Sequence, residues 1–329
     1  MYSETTSSAI NQRLRNILLP VTTPFQSKLA ASTKSSESES LDEDGFRLNI
    51  KKWSKSGIGG IVVLGSTGER VHLDEREYLR VIDVARSEVS NDLAFIAGAG
   101  QQSTRGTIVE VEKAAHAGAD AVLVITPHFY RGAITQEALT NYYTAVADAS
   151  PVPVLLYSMP ALTGVKIEPA TIARLSQHEN IVGAKDSSAD IEGFKETVRL
   201  CPDDFAVMTG NGTVLLDTLK AGATGGILAV GCAVPEICVE IFKAFKAGKD
   251  ERAAVLQAKL TPLVAAVTTR FGIGGLKAAL DMSGYKGGEV RAPLRSSDEI
   301  ARAEIARLLD DARATFASLN EEAGIRAAL

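Results

Sequence analysis

The chain has 329 residues, 45% of them hydrophobic and 23% charged, with a net charge of −5. That balance is globular: there is no basic footprint for nucleic acid, and no apolar run approaches the roughly 20 residues of a membrane helix. Cys201, Cys232 and Cys238 form no C-x-x-C pair, and His72, His116, His128 and His178 lack metal-ligand spacing. A reduced, cytoplasmic protein with no disulfide framework and no metal centre is expected.

Residues 1–16 are Ser/Thr-rich and carry Arg13 and Arg15. That faintly suggests a mitochondrial transit peptide, but the segment is short and is read as a flexible N-terminus. Ile17–Val21 is the first apolar run, broken by Pro20 and followed by Thr22-Thr23-Pro24-Phe25, a strand and then a turn. Ser27–Ser40 is too polar to bury a core and reads as a mobile loop. A helical pattern through Phe46, Ile50 and Trp53 ends near Gly57.

Gly60–Leu64 is a second strand, delivering Gly65-Ser66-Thr67-Gly68-Glu69. Asp74 with Glu77 makes a capping box, and Tyr78, Val81, Ile82, Ala85 and Val89 share one face behind it. Further strands are expected at Ala94–Ala99, Ala121–Ile125, Val152–Tyr157, Ile181–Lys185, Ala206–Thr209 and Gly226–Val230. Helical patterns fill the gaps, including Thr104–Ala117, Gln136–Ala147, Pro169–Leu175, Ile191–Leu200 and Thr213–Leu219.

Eight strand–helix units predict a (β/α)8 TIM barrel over residues 17–232. The rival doubly wound sheet lacks its G-x-G-x-x-G fingerprint after the first strand. Beyond Val234-Pro235 the strands stop. Residues 233–329 read as an all-helical domain, with helices at Pro235–Ala247, Asp250–Thr268, Ile273–Met282 and Asp298–Leu319. Such a surface suits self-association.

In a barrel, the exits of the strands at the C-terminal face build the active site. Strand two offers Ser66 and Thr67, strand five Tyr157, strand six Lys185 followed by Ser187, and strand seven Gly210. A lysine at a strand end either snorkels into solvent or sits partly desolvated, where its neutral amine can form a Schiff base with a ketone. Gly65–Glu69 is an ordinary turn or a carboxylate cradle of free amides and hydroxyls. Tyr157 either plugs the barrel mouth with its hydroxyl on backbone or shuttles protons beside the lysine. Arg70 is read as a solvated or ion-paired arginine, with choice of substrate as its rival role, and His128 as a surface residue. The lysine, the tyrosine and the hydroxyl-rich turn all face one mouth, and their joint occurrence favours catalysis.

These residues, in this order, resemble the pyruvate-dependent class I aldolases of the dihydrodipicolinate synthase and N-acetylneuraminate lyase family. The resemblance runs from about Ile17 to about Leu294. It rests on Gly65–Glu69, on Tyr157-Ser158-Met159-Pro160 with Thr163-Gly164, and on Gly183-Ala184-Lys185-Asp186. Within the family, Thr126-Pro127 with Tyr130-Arg131-Gly132, Leu156–Ala161, Leu175–His178 and Ala266–Ile273 look like eukaryotic 4-hydroxy-2-oxoglutarate aldolases. The resemblance implies that Lys185 forms an imine with a 2-oxo acid, that Tyr157 relays protons, and that Ser66 and Thr67 hold the substrate carboxylate and support the relay. Ser187 and Gly210 join the substrate-binding set. It also implies a homo-oligomer, tetramer or dimer, with no cofactor and no metal.

Three departures stand out. The synthase places an arginine where this chain has Leu162, and a neutral side chain cannot give that bidentate contact to an aldehyde's carboxylate. Many relatives carry a tyrosine where this chain has Phe129, so that arm of the relay lacks a hydroxyl. Ser27–Ser40 is a longer, more polar link than usual and is expected to be a flap near the mouth. The expected activity is cleavage of a 4-hydroxy-2-oxo acid, best 4-hydroxy-2-oxoglutarate, to pyruvate and glyoxylate. The alternatives are a 2-keto-3-deoxy sugar-acid aldolase, a related dehydratase, or a non-catalytic 2-oxo-acid sensor on the same scaffold.

Overall fold

The computed structural model describes residues 10–26, 40–322 and 324. The proposed flap falls on Ser27–Ser40, of which all but Ser40 lies outside the described residues. Eight strands close into a parallel barrel in sequence order: β1 Ile17–Pro20, β2 Gly60–Val63, β3 Ala94–Ala99, β4 Ala121–Ile125, β5 Val154–Ser158, β6 Ile181–Asp186, β7 Ala206–Thr209 and β8 Gly225–Ile227. The strands are near-continuous apolar runs because a parallel barrel covers both of their faces. Leu18, Val62, Ile96, Leu123, Leu155, Met208 and Ile227 fill the interior, and Ile10 and Leu14 pack with them. Residues of the opposite parity, such as Leu19, Ile61, Phe95, Val122 and Leu156, meet the helices outside.

Around the barrel run α1 Glu43–Trp53, α2 Glu75–Arg86, α3 Thr104–His116, α4 Gln136–Ala149, the short α5 Pro160–Thr163, α6 Pro169–Leu175, α7 Ile191–Leu200 and α8 Leu215–Lys220. Five of them, α1 to α4 and α7, start on side-chain caps that satisfy otherwise orphaned amides. Asp42 accepts from Gly45 N at 3.0 Å, and Asp74 and Glu77 form the reciprocal box expected of them. The helical extension follows as α9 Pro235–Lys246, α10 Asp250–Val264, α11 Gly272–Met282 and α12 Glu299–Glu322. Trp53 of α1 donates to Cys232 O at 2.9 Å and stacks on Tyr285, tying the extension to the barrel wall.

Several expected boundaries move for local reasons. β5 begins at Val154 rather than Val152, because Pro153 has no N–H to enter the ladder. β8 ends at Ile227, and the rest of the expected strand is a 3₁₀ turn, Ala229–Cys232. The expected Thr213–Leu219 helix is a 3₁₀ turn, Gly212–Val214, followed by α8. The expected helix to Thr268 ends at Val264 and continues as a π-type segment, Ala265–Arg270. There Phe271 N reaches back five residues to Ala266 O, and the Thr268 hydroxyl donates to Val264 O at 2.7 Å. Among the described residues, no helix is long and apolar enough to cross a membrane.

Candidate active site

β5 and β6 pair in a register that sets Tyr157 directly beside Lys185, and on the other side Tyr157 pairs with Ile125 of β4. Both side chains are withdrawn from solvent, Lys185 to 5% exposure and Tyr157 to 4%. The Lys185 ammonium lies 4.2 Å from the centroid of the Tyr157 ring, within cation–π range. The tyrosine therefore closes the top of the barrel's inner core with one face and supports the lysine with the other.

The phenol is electrostatically tuned. Burial alone would raise its pKa, but the charge of Lys185 and hydrogen bonds from Ser66 and Lys185 outweigh burial and leave it below the ordinary phenol value. Ser187 adds a smaller contribution in the same direction, although its buried Oγ meets no partner at ordinary hydrogen-bond geometry. The hydroxyl of Tyr157 is thus served by side chains, and not by backbone as one sequence reading allowed.

Ser66 and Thr67 lie in a 3₁₀ turn, Ser66–Gly68, at the exit of β2. Thr67 is buried and Ser66 half-buried, and the turn closes with Gly68 N on Gly65 O at 3.0 Å. A side chain at Gly65 would meet nothing within 4 Å, so the backbone there faces open space. Gly210, after β7, has the opposite surroundings. A Cβ at this position would stand 2.0 Å from Ser187 Oγ and 2.5 Å from Lys185 Cε. The lysine side chain passes directly over this backbone, and only glycine leaves it room.

All six residues singled out from the sequence, Ser66, Thr67, Tyr157, Lys185, Ser187 and Gly210, thus sit at the exits of β2, β5, β6 and β7. Tyr157 is in contact with Lys185 and Ser66, and the position of Gly210 meets Lys185 and Ser187. Thr22 and Thr126, at the exits of β1 and β4, add buried hydroxyls without partners. Such groups are costly unless a ligand or water uses them. Arg70 proves to be ion-paired with Glu110, and His128 is half-buried beside Gln102. Phe129 and Tyr130 point outward, each more than 70% exposed, with their rings in edge contact. Leu162 is 63% exposed and neutral, and the guanidinium of Arg131 lies close by, its Nη1 3.2 Å from where a Cβ on Gly164 would stand. Among the described residues, no group of three or more His, Cys, Asp or Glu side chains forms a metal cluster.

Sequence reasoning passed over one group beneath the turn, the buried pair Glu69 and Lys277 with the Arg291 backbone. The available signal was Lys277 itself, an isolated cation inside the apolar run Gly274–Leu280. Its partner lies too far away in sequence for any local pattern to reveal it.

Comparison with known proteins agrees with this geometry. The family model described as the dihydrodipicolinate synthetase family matches residues 14–312. The 4-hydroxy-tetrahydrodipicolinate synthase of Syntrophus aciditrophicus is 34% identical over 287 residues, 87% of this chain and 98% of that protein. That of Methanothrix thermoacetophila is 36% identical over 287 residues, 87% of this chain and 92% of its own length. The crystal structure of dihydrodipicolinate synthase from Thermotoga maritima superposes with a TM-score of 0.82 at 29% identity, covering 91% of this chain and 98% of that one. The match brings with it the chemistry of class I carbon–carbon lyases, which work through a Schiff base on an active-site lysine rather than an external cofactor. On this evidence of sequence and fold, the chain belongs to the dihydrodipicolinate synthetase family.

Proposed function

We propose that the protein is an aldolase that cleaves a 4-hydroxy-2-oxo acid, best 4-hydroxy-2-oxoglutarate, to pyruvate and glyoxylate, with Lys185 as the imine-forming residue. The observation that carries this reading is the buried Lys185 amine against the phenol of Tyr157, whose lowered pKa suits proton exchange with its neighbour. Lys185 gives a proton to the phenolate and attacks the ketone of the substrate. Tyr157 then protonates the departing hydroxyl, water leaves, and a protonated imine remains. The 4-hydroxyl loses its proton to the relay as the C3–C4 bonding electrons move into the imine, releasing the aldehyde and leaving an enamine. Protonation at C3 and hydrolysis return pyruvate and the free lysine.

Ser66 and Thr67, in the turn at the exit of β2, hold the substrate carboxylate and support the relay. Ser187 and Gly210 complete the wall, the serine with a free hydroxyl and the glycine with the space that the lysine needs. The cleavage reading is supported by the 4-hydroxy-2-oxoglutarate aldolase-like motifs around Tyr130, Tyr157 and His178 and by the neutral, exposed Leu162. The activity named for the curated relatives, 4-hydroxy-tetrahydrodipicolinate synthesis, is the second reading, favoured by their overall identity.

The barrel over residues 17–232 and the helical region over 233–329 are proposed as the two domains. The exposed Phe129 and Tyr130 support a second copy of the chain at the mouth. Cys201, Cys232 and Cys238 are all unpaired, which supports a reducing, cytoplasmic setting.

Two measurements test the reading. Pyruvate with borohydride should label Lys185, and persistence of the label in Lys185→Ala would refute the assignment. Pyruvate release from 4-hydroxy-2-oxoglutarate, compared with keto-deoxy sugar acids and with formation of 4-hydroxy-tetrahydrodipicolinate, identifies the substrate. Preference for either alternative would overturn the choice of 4-hydroxy-2-oxoglutarate.

A further inference from the structure

Lys277 of α11 is one of the most deeply buried charges in the chain, 2% exposed, and it belongs to the helical extension rather than to the barrel. A lysine ammonium has three protons to donate. Here two of them go to Thr23 O at 2.8 Å and to Glu289 O, and Glu69 Oε1 stands 2.6 Å from the nitrogen as an ion pair outside hydrogen-bond geometry. The ring of Phe25 lies 4.6 Å from the same nitrogen. Burial lowers the pKa of Lys277, and Glu69 opposes that shift.

Its partners are the two barrel exits that lead into the mouth. Thr23 follows β1, and its hydroxyl donates to Gly68 O at 2.8 Å. Glu69 ends the Ser66–Gly68 turn at φ 54°, a left-handed conformation unfavourable for a side-chain-bearing residue. Its second oxygen takes Arg291 N at 3.0 Å and stands 3.3 Å from His72 Nδ1. The C-terminal end of the turn is therefore clamped twice, at Gly68 and at Glu69, and the turn carries Ser66, whose hydroxyl helps to hold the Tyr157 phenol below its ordinary pKa.

A buried ion pair is rarely worth more to stability than well-packed apolar residues of the same volume, because two charges must be desolvated. What an ammonium held by two carbonyls and one carboxylate supplies is position. We propose that Lys277 is a positioning residue for the Schiff-base reaction, acting through Glu69 and Thr23 to hold the Ser66–Thr67 turn against Tyr157. This rests on the assignment of Lys185 and Tyr157 above but is independent of which acceptor the enzyme takes.

The test uses the pyruvate half-reaction of the full chain, followed as exchange of the C3 protons with deuterated solvent. Glu69→Gln and the Lys277→Met/Glu69→Gln pair are compared with Glu77→Gln. The last breaks the neighbouring Arg291–Glu77 side-chain ion pair, which also bridges the barrel and the extension but leaves the Arg291 backbone N on Glu69 and the Lys277–Glu69 pair in place. The first two variants should exchange about tenfold to a hundredfold more slowly at neutral pH, the cost of a small misplacement of a relay group. Their rising pH limb should move to higher pH as Tyr157 loses the Ser66 hydrogen bond. Glu77→Gln should keep the wild-type limb and rate.

Folded variants with wild-type rate and limb would overturn the proposal. So would failure of both to fold, since a pair needed for folding itself is structural. If wild-type enzyme with pyruvate and borohydride is not labelled at Lys185, it is the parent assignment that fails.

Discussion

Tyr157 and Lys185 are cross-strand partners on β5 and β6, and the lysine's amine rests 4.2 Å from the centre of the tyrosine ring. Two parts of one residue are thus physically separable: the ring face supports the cation, and the hydroxyl, its pKa lowered by Lys185 and Ser66, is the group proposed to relay protons. Substitutions that separate ring from hydroxyl should separate imine formation from turnover.

Tyr157→Phe keeps the ring beneath the amine and removes the relay. Turnover should fall by about 10²–10⁴-fold, the usual contribution of a positioned acid–base group, while slow borohydride labelling of Lys185 persists. Steady-state kinetics together with mass analysis of the labelled lysine check both halves. Loss of labelling with turnover unchanged would contradict the assignment.

Ser66→Ala removes a hydrogen bond that stabilises the phenolate, so the phenol's pKa must rise. The limb of the pH–rate profile that needs the phenolate then moves to higher pH, and activity is lost first at the acidic end. A profile of pyruvate proton exchange reads the shift, and movement toward lower pH would contradict the electrostatic account.

Gly210→Ala places a methyl group within 2.5 Å of Lys185 Cε and closer still to Ser187 Oγ. The lysine must swing away from the tyrosine, and turnover should fall about a hundredfold or more with the fold retained. Circular dichroism and borohydride trapping distinguish this outcome from unfolding. A fully active variant would show that the lysine does not need this path.

Leu162→Arg alters an exposed corner, so stability should change by no more than about 0.5 kcal/mol. If the missing arginine sets the acceptor, condensation of pyruvate with a carboxylate-bearing aldehyde should improve about tenfold, within the range of a charge-assisted hydrogen bond. The KM for that aldehyde is the quantity to follow, and no change would remove Leu162 from the specificity account.

Glu77 is held below the ordinary carboxylate pKa, chiefly by its hydrogen bonds from Arg291. A depressed carboxylate adds stability above its unfolded pKa and loses it as the pH falls through the folded value. Glu77→Gln should therefore cost about 1 kcal/mol near neutrality, discounted for solvent access, and nothing in strong acid. Urea midpoints across the acidic range would show the two proteins converging.

The strands, the capping box at Asp74 and the three motifs at the mouth were legible because each is local. A buried parallel strand is a short apolar run, and a cap is a spacing of three residues. Boundaries slipped where backbone hydrogen bonding, not side-chain pattern, decided the outcome: at Pro153, at the end of β8 and at the π-type segment after Val264. The Glu69–Lys277 pair was invisible because no local period joins a turn after β2 to a helix near the C-terminus.

By itself the sequence determined the eight-strand order, the helical extension and the residues that gather at the mouth, since apolar periodicity and strand-end chemistry are written residue by residue. Only the tertiary structure decided that Tyr157 lies under the amine of Lys185, that Gly210 must be bare for the lysine to pass, and that a lysine from the extension pairs with Glu69 at the end of the Ser66–Gly68 turn. Those relations depend on barrel closure and on burial, which bring together groups that the chain keeps far apart and remove the water that would otherwise separate their charges.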